Sequence, residues 1–270
     1  MNEGADQHNA TGNGPAGRVA LVTGAGSGMG RATALALAAR GATVLATDID
    51  GASAERTAAE ARAGGGRAVP ARIDVTDAAA VGAGVAALAA AHGPVDVAVC
   101  CAGIGNFAPL AELDVSDADA VLAVSLGGTV AVARAVLPAM RERGWGRLVA
   151  FSSLNAKTPP AGLAHYSAAK AALIGWAQAV ALEEAPAVTV NCVCPGMVDT
   201  PIFLADLEHA RRSDPAATLE GVKADAAREI PAGRLGRPEE VAELVAYLAS
   251  DAAAFVTGQA LNISGGQEMG

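Results

Sequence analysis

The stretch VALVTGAGSGMGRATALALAARG, residues 19–41, decides the fold. An apolar run ends at Thr23, a glycine-rich turn follows, and an alanine-rich helical pattern begins near Gly28. Gly24, Gly28 and Gly30 let the chain turn tightly and let a ligand approach the backbone, while the start of a helix offers free N–H groups and a positive dipole end. A strand, a glycine turn and a helix in this order predict a site for a dinucleotide pyrophosphate.

Apolar, β-rich runs alternate with alanine-rich helical patterns along the rest of the chain. The runs are Arg18–Thr23, Thr43–Thr47, Arg67–Ile73, Val95–Cys101, Arg147–Phe151, Val188–Cys194 and Gln259–Ile263. The helical patterns cover 28–40, 51–64, 77–92, 115–143, 162–184 and 238–249. Strands that are apolar on both faces are typical of a parallel sheet covered by helices. The sequence predicts an α/β fold, a single-domain doubly wound (Rossmann) seven-stranded parallel sheet with helices on both faces.

Two segments depart from this alternation. Residues 1–17 hold no apolar run, and we expect a disordered N-terminal tail before a domain of residues 18–270. Residues 200–237 carry many charges, Pro215 and Pro231, and helix-like pieces, and the segment is too long for an ordinary connection. We expect this segment to be a helical lid over the substrate, with a surface excursion of no further role as the alternative.

The composition excludes several classes of protein. A formal net charge of −9 disfavours nucleic-acid binding, which needs a clustered basic face. No apolar stretch of membrane-spanning length is free of Gly and polar interruptions, and no signal peptide is visible, so a cytoplasmic protein without membrane contact is expected. Cys100, Cys101, Cys192 and Cys194 lie in strand-like runs without nearby histidines, which predicts buried thiols and no metal site.

A single carboxylate indicates which dinucleotide binds. Asp48 follows the second predicted strand, where a carboxylate accepts hydrogen bonds from ribose hydroxyls and repels a 2′-phosphate. No Arg or Lys lies at 49–54. We therefore expect NAD as the cofactor rather than NADP; the alternative is that Asp48 caps the following turn.

Tyr166 and Lys170 lie four residues apart in HYSAAKAAL, residues 165–173. On a helix this spacing places both side chains on one face. A nearby cation stabilises a phenolate, which suits a tyrosine that exchanges a proton with a ligand. The small neighbouring residues leave room for a cofactor against that face.

Several motifs together resemble the short-chain dehydrogenase/reductase family, in its compact single-domain NAD-dependent branch, over residues 18–266. They are TGAGSGMG at 23–30, RIDVTD at 72–77, CAG at 101–103, SS at 152–153, YSAAK at 166–170 and NCVCPGMVDTP at 191–201. Their order and spacing follow the family, so the resemblance is more specific than any single motif.

The resemblance implies a role for each matching residue. Tyr166 would be the catalytic acid/base, Lys170 would hold the nicotinamide ribose, and Ser153 would hydrogen-bond the substrate oxygen. The cofactor would also contact Gly24, Ser27, Met29, Gly30, Asp48, Ile49, Asp74, Val75, Cys101, Ala102, Gly103, Pro195, Gly196, Val198 and Thr200. The substrate would contact Ser153, Leu154, Asn155, Tyr166 and Met197, although Asn155 alternatively caps a turn.

Two positions depart from the family pattern. Ser125 stands where relatives carry an asparagine that supports a proton relay to the lysine, and a serine hydroxyl is a partial substitute. Cys101 replaces the asparagine of NAG, which braces the sheet near the adenosine ribose. We expect altered packing there rather than loss of function.

The sequence thus predicts an NAD-dependent oxidoreductase that interconverts a secondary alcohol and a ketone, and the family implies a homotetramer. Apolar residues in the lid indicate a partly hydrophobic substrate. A first alternative is an NADPH-dependent 3-oxoacyl or polyketide ketoreductase, for which Arg211, Arg212 and Arg234 are the candidate basic residues. A second alternative is an NAD-binding sensor without turnover.

Overall fold

The computed structural model describes residues 14–204, 207 and 218–269. Most of the expected tail, the middle of the expected lid, and Arg211 and Arg212 lie outside the described residues.

Seven parallel strands form one sheet in the order β3-β2-β1-β4-β5-β6-β7. The strands are β1 Val19–Thr23, β2 Thr43–Asp48, β3 Arg67–Arg72, β4 Val97–Cys100, β5 Gly146–Phe151, β6 Val188–Pro195 and β7 Ala260–Ile263. The predicted seven-stranded doubly wound sheet is confirmed, with strand ends shifted by one or two residues. Chain order reverses between β1 and β4, and ligands of such sheets bind outside the carboxyl ends of the strands at that point.

Eight α-helices whose bounds lie within the described part of the chain connect the strands and cover both faces of the sheet, and a further helical stretch lies at 201–204. They are α1 Gly28–Ala39, α2 Gly51–Ala63, α3 Ala78–His92, α4 Val115–Leu122, α5 Gly128–Arg143, α6 Ala164–Glu184, α7 Leu219–Arg228 and α8 Pro238–Leu248. The helical run predicted over 115–143 is interrupted by a π-helical turn, Ala123–Gly127, between α4 and α5. Helix α6 begins two residues later than predicted, because Gly162 has φ +81°, a left-handed conformation that no helix continues.

Side chains alternate between two buried clusters, one on each face of the sheet. Ala20 and Val22 of β1 belong to the cluster that includes Leu37 of α1, and Leu21 belongs to the cluster that includes Leu173 of α6. Burial of each large aliphatic side chain contributes about 1.5–3 kcal/mol. This packing on both faces explains why the strands read as continuous apolar runs.

Aspartates at strand-to-helix connections begin three of the helices. Asp50, Asp77 and Asp114 accept hydrogen bonds from backbone N–H groups in the first turns of α2, α3 and α4. Each bond satisfies a helical N–H that has no partner within the helix. Hydrogen bonds from the Ser116 backbone and hydroxyl lower the pKa of Asp114.

The segment Val115–Arg143 is long and apolar enough to span a membrane by length and composition. It carries the Gly and Ser interruptions noted in the sequence, and half of its most apolar window is buried within the fold. It is thereby part of the core, with Val132 and Val136 packed in the same cluster as α3 and α6.

The described ends of the segment 200–237 are attached to the domain at several points. Val198 pairs with Gly236 in an isolated β-bridge, and the backbone N–H of Ala232 donates to the carbonyl of Gly265 at 3.0 Å. Arg234 makes a bidentate ion pair with Glu240 at the start of α8. Helix α7 is the helical element expected there from the sequence.

Candidate active site

The glycine turn after β1 forms a tight cradle at the carboxyl edge of the sheet. Gly24 has φ +64°, and a methyl group on it would lie 2.9 Å from Cα of Ala102. A methyl group on Gly30 would lie 2.1 Å from the carbonyl oxygen of Gly24. Ser27 precedes α1, and its side chain makes no capping hydrogen bond to the first N–H groups of the helix in the described part of the chain. This cradle fits a pyrophosphate at a helix N-terminus.

Asp48 lies at the end of β2, next to the same turn. Its Oδ2 accepts a hydrogen bond from the Gly26 N–H at 2.9 Å, and its Oδ1 accepts one from the Asp50 N–H at 3.0 Å. The carboxylate therefore shapes the turn and also lies beside the pyrophosphate cradle. Both interpretations made from the sequence, a capping role and a position for ribose contacts, fit this arrangement.

Arg72 is a cation near Asp48 that the sequence did not reveal. It ends β3 as the register partner of Asp48, and its Nε donates to the carbonyl of Ile49 at 3.0 Å. A second cation is close by, because Nη2 of Arg56 lies 3.7 Å from Oδ2 of Asp50. The absence of basic residues at 49–54 therefore does not leave this corner free of cations, because strand pairing brings Arg72 from more than twenty positions away.

Ile49, Asp74 and Val75 border this corner. Ile49 is 58% exposed, and Val75 is buried against Gly128 of α5. The Thr76 hydroxyl and backbone N–H both donate to Asp74, which lowers the pKa of its carboxyl group. The exposed side chain of Ile49 and the carboxylate of Asp74 thus lie near the end of β2.

Lys170 is buried on α6, directly behind the end of β5. The residue is 4% exposed, and its Nζ donates to the carbonyl of Phe151 at 2.8 Å. The same Nζ lies 5.6 Å from the ring centroid of Tyr166. A methyl group on Gly103 would lie 3.4 Å from this nitrogen, so the backbone after β4 passes close to the ammonium group.

The two serines after β5 have different roles. The Ser152 hydroxyl donates to the carbonyl of Lys170 at 2.8 Å and so ties α6 to the sheet. Ser153 is buried and its hydroxyl accepts the Asn155 N–H at 3.1 Å, which starts the short 3-10 helix Leu154–Ala156. Ser153 and Tyr166 therefore both lie where β5 and α6 meet, and the Asn155 backbone belongs to this turn.

Ser125 lies in the π-helical turn between α4 and α5. It is 1% exposed, and its hydroxyl has no hydrogen-bond partner among the described residues. The carbonyl of the same residue accepts the Thr129 hydroxyl at 2.7 Å. A buried hydroxyl without a partner is uncommon and is often satisfied by an ordered water.

Thr23 braces the ends of β1 and β4 at the position of Cys101. Its hydroxyl accepts the N–H of Cys101 at 3.1 Å and that of Ala102 at 3.2 Å. Burial raises the pKa of the Cys101 thiol to about 12, and burial also raises the pKa values of Cys100 and Cys192 to about 12. All four cysteines are free thiols; Cys100, Cys192 and Cys194 are buried as predicted, whereas Cys101 is partly exposed.

The segment after β6 folds against the C-terminal residues. Pro195 ends β6, and the Gly196 N–H donates to the carbonyl of Ile263 at 3.1 Å. The Met197 N–H donates to Oε1 of Gln267 at 3.0 Å, a contact that the sequence did not indicate.

Val198 and Thr200 carry this segment back toward the glycine turn. Both are buried, and the Thr200 methyl group lies 3.5 Å from the position of a methyl group on Gly28. These two residues, both expected to contact the cofactor, thus return the chain to the start of α1, where the pyrophosphate cradle lies.

Comparison with known proteins identifies the class. A profile of the family described as enoyl-(acyl carrier protein) reductase matches residues 24–268. The chain is 41% identical to a cis-4-hydroxycyclohexanecarboxylate dehydrogenase of Sinomonas cyclohexanicum over 92% of this chain and 96% of that protein. It is 39% identical to the short-chain reductase protein NovJ of Streptomyces niveus over 92% of this chain and 93% of that protein.

A solved structure shows the same architecture. A single-residue variant of actinorhodin polyketide ketoreductase, solved with NADPH, superposes with a TM-score of 0.88 at 39% identity, covering 93% of this chain and 97% of that one. The chain is an oxidoreductase that belongs to the short-chain dehydrogenase/reductase family. The resemblance noted in its motifs is confirmed, as is the Rossmann-type sheet.

Proposed function

We propose that this protein interconverts a secondary alcohol and a ketone with NAD(H) as cofactor. The observation that carries the proposal is the arrangement at the junction of β5 and α6. There Lys170 is buried with its Nζ on the Phe151 carbonyl, Tyr166 lies next to it, and Ser153 starts the adjoining turn. A bound nicotinamide would accept or deliver the hydride.

The protein's own residues move the proton and stabilise charge. In oxidation the Tyr166 oxygen, as phenolate, takes the hydroxyl proton of the substrate; in reduction the same phenol donates a proton to the carbonyl oxygen. Lys170 places a positive charge beside Tyr166 and holds the nicotinamide ribose. Ser153 donates a hydrogen bond to the substrate oxygen as charge develops there.

The glycine turn and the ends of β2, β4 and β6 would hold the cofactor. The pyrophosphate would contact the turn, the adenosine end would contact Asp48 and its neighbours, and the nicotinamide would face the segment after β6. The residues are Gly24, Ser27, Met29, Gly30, Asp48, Ile49, Asp74, Val75, Cys101, Ala102, Gly103, Pro195, Gly196, Val198 and Thr200. The fixed Asp48 carboxylate supports NAD(H), because it would repel a 2′-phosphate.

An NADPH-dependent ketoreductase is the second candidate. Arg72 favours it, since its guanidinium lies at the Ile49 carbonyl beside the expected position of the adenosine ribose. The relative solved with NADPH is a polyketide ketoreductase. A 3-oxoacyl substrate would then be reduced by the same Ser153, Tyr166 and Lys170.

The remaining expectations are part of the same proposal. Leu154, Asn155 and Met197 would line the substrate pocket, and the segment 200–237 would close over it. The family likeness supports a homotetramer acting in the cytoplasm, without nucleic-acid or membrane partners. Native mass spectrometry tests the assembly by the presence of a four-chain species.

The test is turnover measured by nicotinamide absorbance with NAD(H) and NADP(H). The panel contains cis-4-hydroxycyclohexanecarboxylate, cyclohexanol, 1-phenylethanol and their ketones, with the N-acetylcysteamine thioester of acetoacetate as the 3-oxoacyl probe. We expect oxidation of at least one alcohol with NAD. Turnover of the thioester with NADPH alone would favour the ketoreductase, and silence across the panel with retained NADH binding would favour a sensor.

A further inference from the structure

Buried His165 directly precedes Tyr166 on α6, and its ring contacts the loop that follows β4. His165 is 7% exposed, and its Nε2 lies 2.9 Å from Oδ1 of Asn106. Asn106 donates from Nδ2 to Oδ2 of Asp117 at 3.0 Å. Two hydrogen bonds therefore join the start of α6, the loop after β4 and the first turn of α4. The proposed function uses none of these three residues.

The direction of both hydrogen bonds follows from Asp117. An ionised carboxylate only accepts, so the Asn106 side chain must turn its NH₂ group toward Asp117 and its carbonyl oxygen toward His165. The carbonyl only accepts as well, and Nε2 of His165 must therefore carry a hydrogen and donate it. The other ring nitrogen, Nδ1, is buried without a hydrogen-bond partner in the described part of the chain.

This unpaired nitrogen makes an imidazole a poor choice for stability alone. A buried polar atom without a partner costs free energy, and an apolar side chain of similar size would avoid that cost. The hydrogen bond that the ring makes within the described part of the chain is directed at the loop after β4. The polar chemistry of His165 thus serves to hold this loop.

That loop covers Tyr166. A methyl group on Gly105 would lie 3.1 Å from Cδ2 of Tyr166, so the backbone at 105 is in contact with the phenol ring. The loop is attached a second time where the Ala108 N–H donates to the carbonyl of Gly162 at 2.9 Å. The Phe107 ring lies over Gly162, where a methyl group would come within 2.3 Å of it.

From this geometry we propose that His165 is a positioning residue for Tyr166. Through Asn106 it holds Gly105 against the ring, which fixes the direction in which the phenol oxygen points; Asp117 sets the orientation of the Asn106 amide. The inference rests on the proposed function, because the direction of the phenol oxygen matters for turnover only if Tyr166 exchanges a proton with the substrate. His165 is assigned to act through this loop rather than by contact with substrate or cofactor.

Two substitutions separate the hydrogen bond from packing. His165→Leu keeps an apolar volume and removes the donor, whereas His165→Gln keeps an N–H group the same number of bonds from Cα. We expect His165→Leu to lower kcat on the best panel alcohol about tenfold to a hundredfold, as small misplacements of a reacting group do. His165→Gln should keep most of the wild-type kcat. The Kd for NADH should stay at the wild-type value in both variants, because the residues of the cofactor cradle are unchanged. His92→Gln, at an exposed position at the end of α3, is the matched control and leaves kcat unchanged.

A second readout needs no substrate. Amide hydrogen exchange over residues 103–109 should be faster in His165→Leu and in Asn106→Leu than in the wild type. The double variant should be no faster than Asn106→Leu alone, because that change already removes the hydrogen bond to His165. Additive effects, or unchanged exchange in both single variants, would overturn the inference.

The values of kcat decide whether His165 positions Tyr166 for turnover. Wild-type kcat in His165→Leu, or equal loss in His165→Leu and His165→Gln, would overturn the positioning role. If the wild type turns over nothing in the panel, the proposed function fails, and the exchange experiment still decides whether His165 holds the loop.

Discussion

The carboxylate of Asp48 and the backbone N–H of Gly26 are joined by a 2.9 Å hydrogen bond between the end of β2 and the glycine turn. The contact leaves no room for a side chain at 26. A methyl group there would lie 2.8 Å from Oδ2 of Asp48 and 2.0 Å from Oγ of Ser53. The turn proposed to bind the pyrophosphate and the carboxylate proposed to face the ribose are therefore one unit.

Gly26→Ala should weaken NADH binding at least about tenfold, a loss of about 1.4 kcal/mol, because Asp48 and the turn must move apart. Fluorescence titration with NADH measures it. Gly82→Ala is the matched control, since a methyl group at 82 in α3 meets nothing within 4 Å. That change should leave NADH binding alone and raise the free energy of unfolding by about 0.5–1 kcal/mol. Equal NADH affinity in Gly26→Ala and the wild type would contradict the assigned cradle.

Asp48→Asn should shift the cofactor preference toward NADPH. The amide keeps an oxygen for the Gly26 N–H and removes the charge that repels a 2′-phosphate, so the ratio of the NADPH Kd to the NADH Kd should fall about tenfold or more. Titrations with both dinucleotides measure the ratio. Asp119→Asn removes a charge at an exposed position of α4 and serves as the control. An unchanged ratio would assign the discrimination to another group.

Ser125→Ala distinguishes a role of the hydroxyl in stability from a role in turnover. The hydroxyl is buried and unpartnered in the described structure, so its removal should leave the free energy of unfolding unchanged or raise it. If it holds a water of a proton relay to Lys170, the same change should lower kcat about tenfold and alter its pH dependence. Ser125→Asn should restore or exceed wild-type kcat. Unchanged kcat and pH dependence in Ser125→Ala would remove Ser125 from the mechanism.

The carboxyl group of Glu240 makes the free energy of unfolding depend on pH in the acidic range. Hydrogen bonds from the Arg234 side chain and the Arg237 backbone lower the pKa of Glu240 to about 2. Because the folded-state pKa lies below that of the unfolded chain, the carboxylate stabilises the fold above the ordinary glutamate range, about pH 4.5, and this contribution is lost as the pH falls through about 2.

Glu240→Gln should therefore lower the midpoint of thermal unfolding at pH 7, and its difference from the wild type should shrink between about pH 4.5 and 2. Glu239→Gln is the control, at an exposed neighbour in the same turn that makes no ion pair with the described residues. A difference that stays constant down to pH 2 would show that the ion pair is not its source.

Local sequence patterns were sufficient for the sheet, the glycine turn and the positions of Ser153, Tyr166 and Lys170 on their elements. Periodicity and motif spacing are properties of neighbouring residues, and these elements depend on little else. Strand register is different: Arg72 lies beside Asp48 only because β2 and β3 pair in parallel, so a scan of residues 49–54 missed it. The π-helical turn at Ser125 and the chain from Asp117 to His165 likewise depend on packing between distant segments.

Turnover by Tyr166→Phe tests the central claim, that Tyr166 transfers the proton, most directly. The substitution removes one oxygen and keeps the ring that contacts Gly105. With the best panel alcohol and NAD, we expect kcat to fall at least about a hundredfold while the NADH Kd stays within about twofold of the wild type. A kcat within about tenfold of the wild type, with NADH binding intact, would show that another group moves the proton.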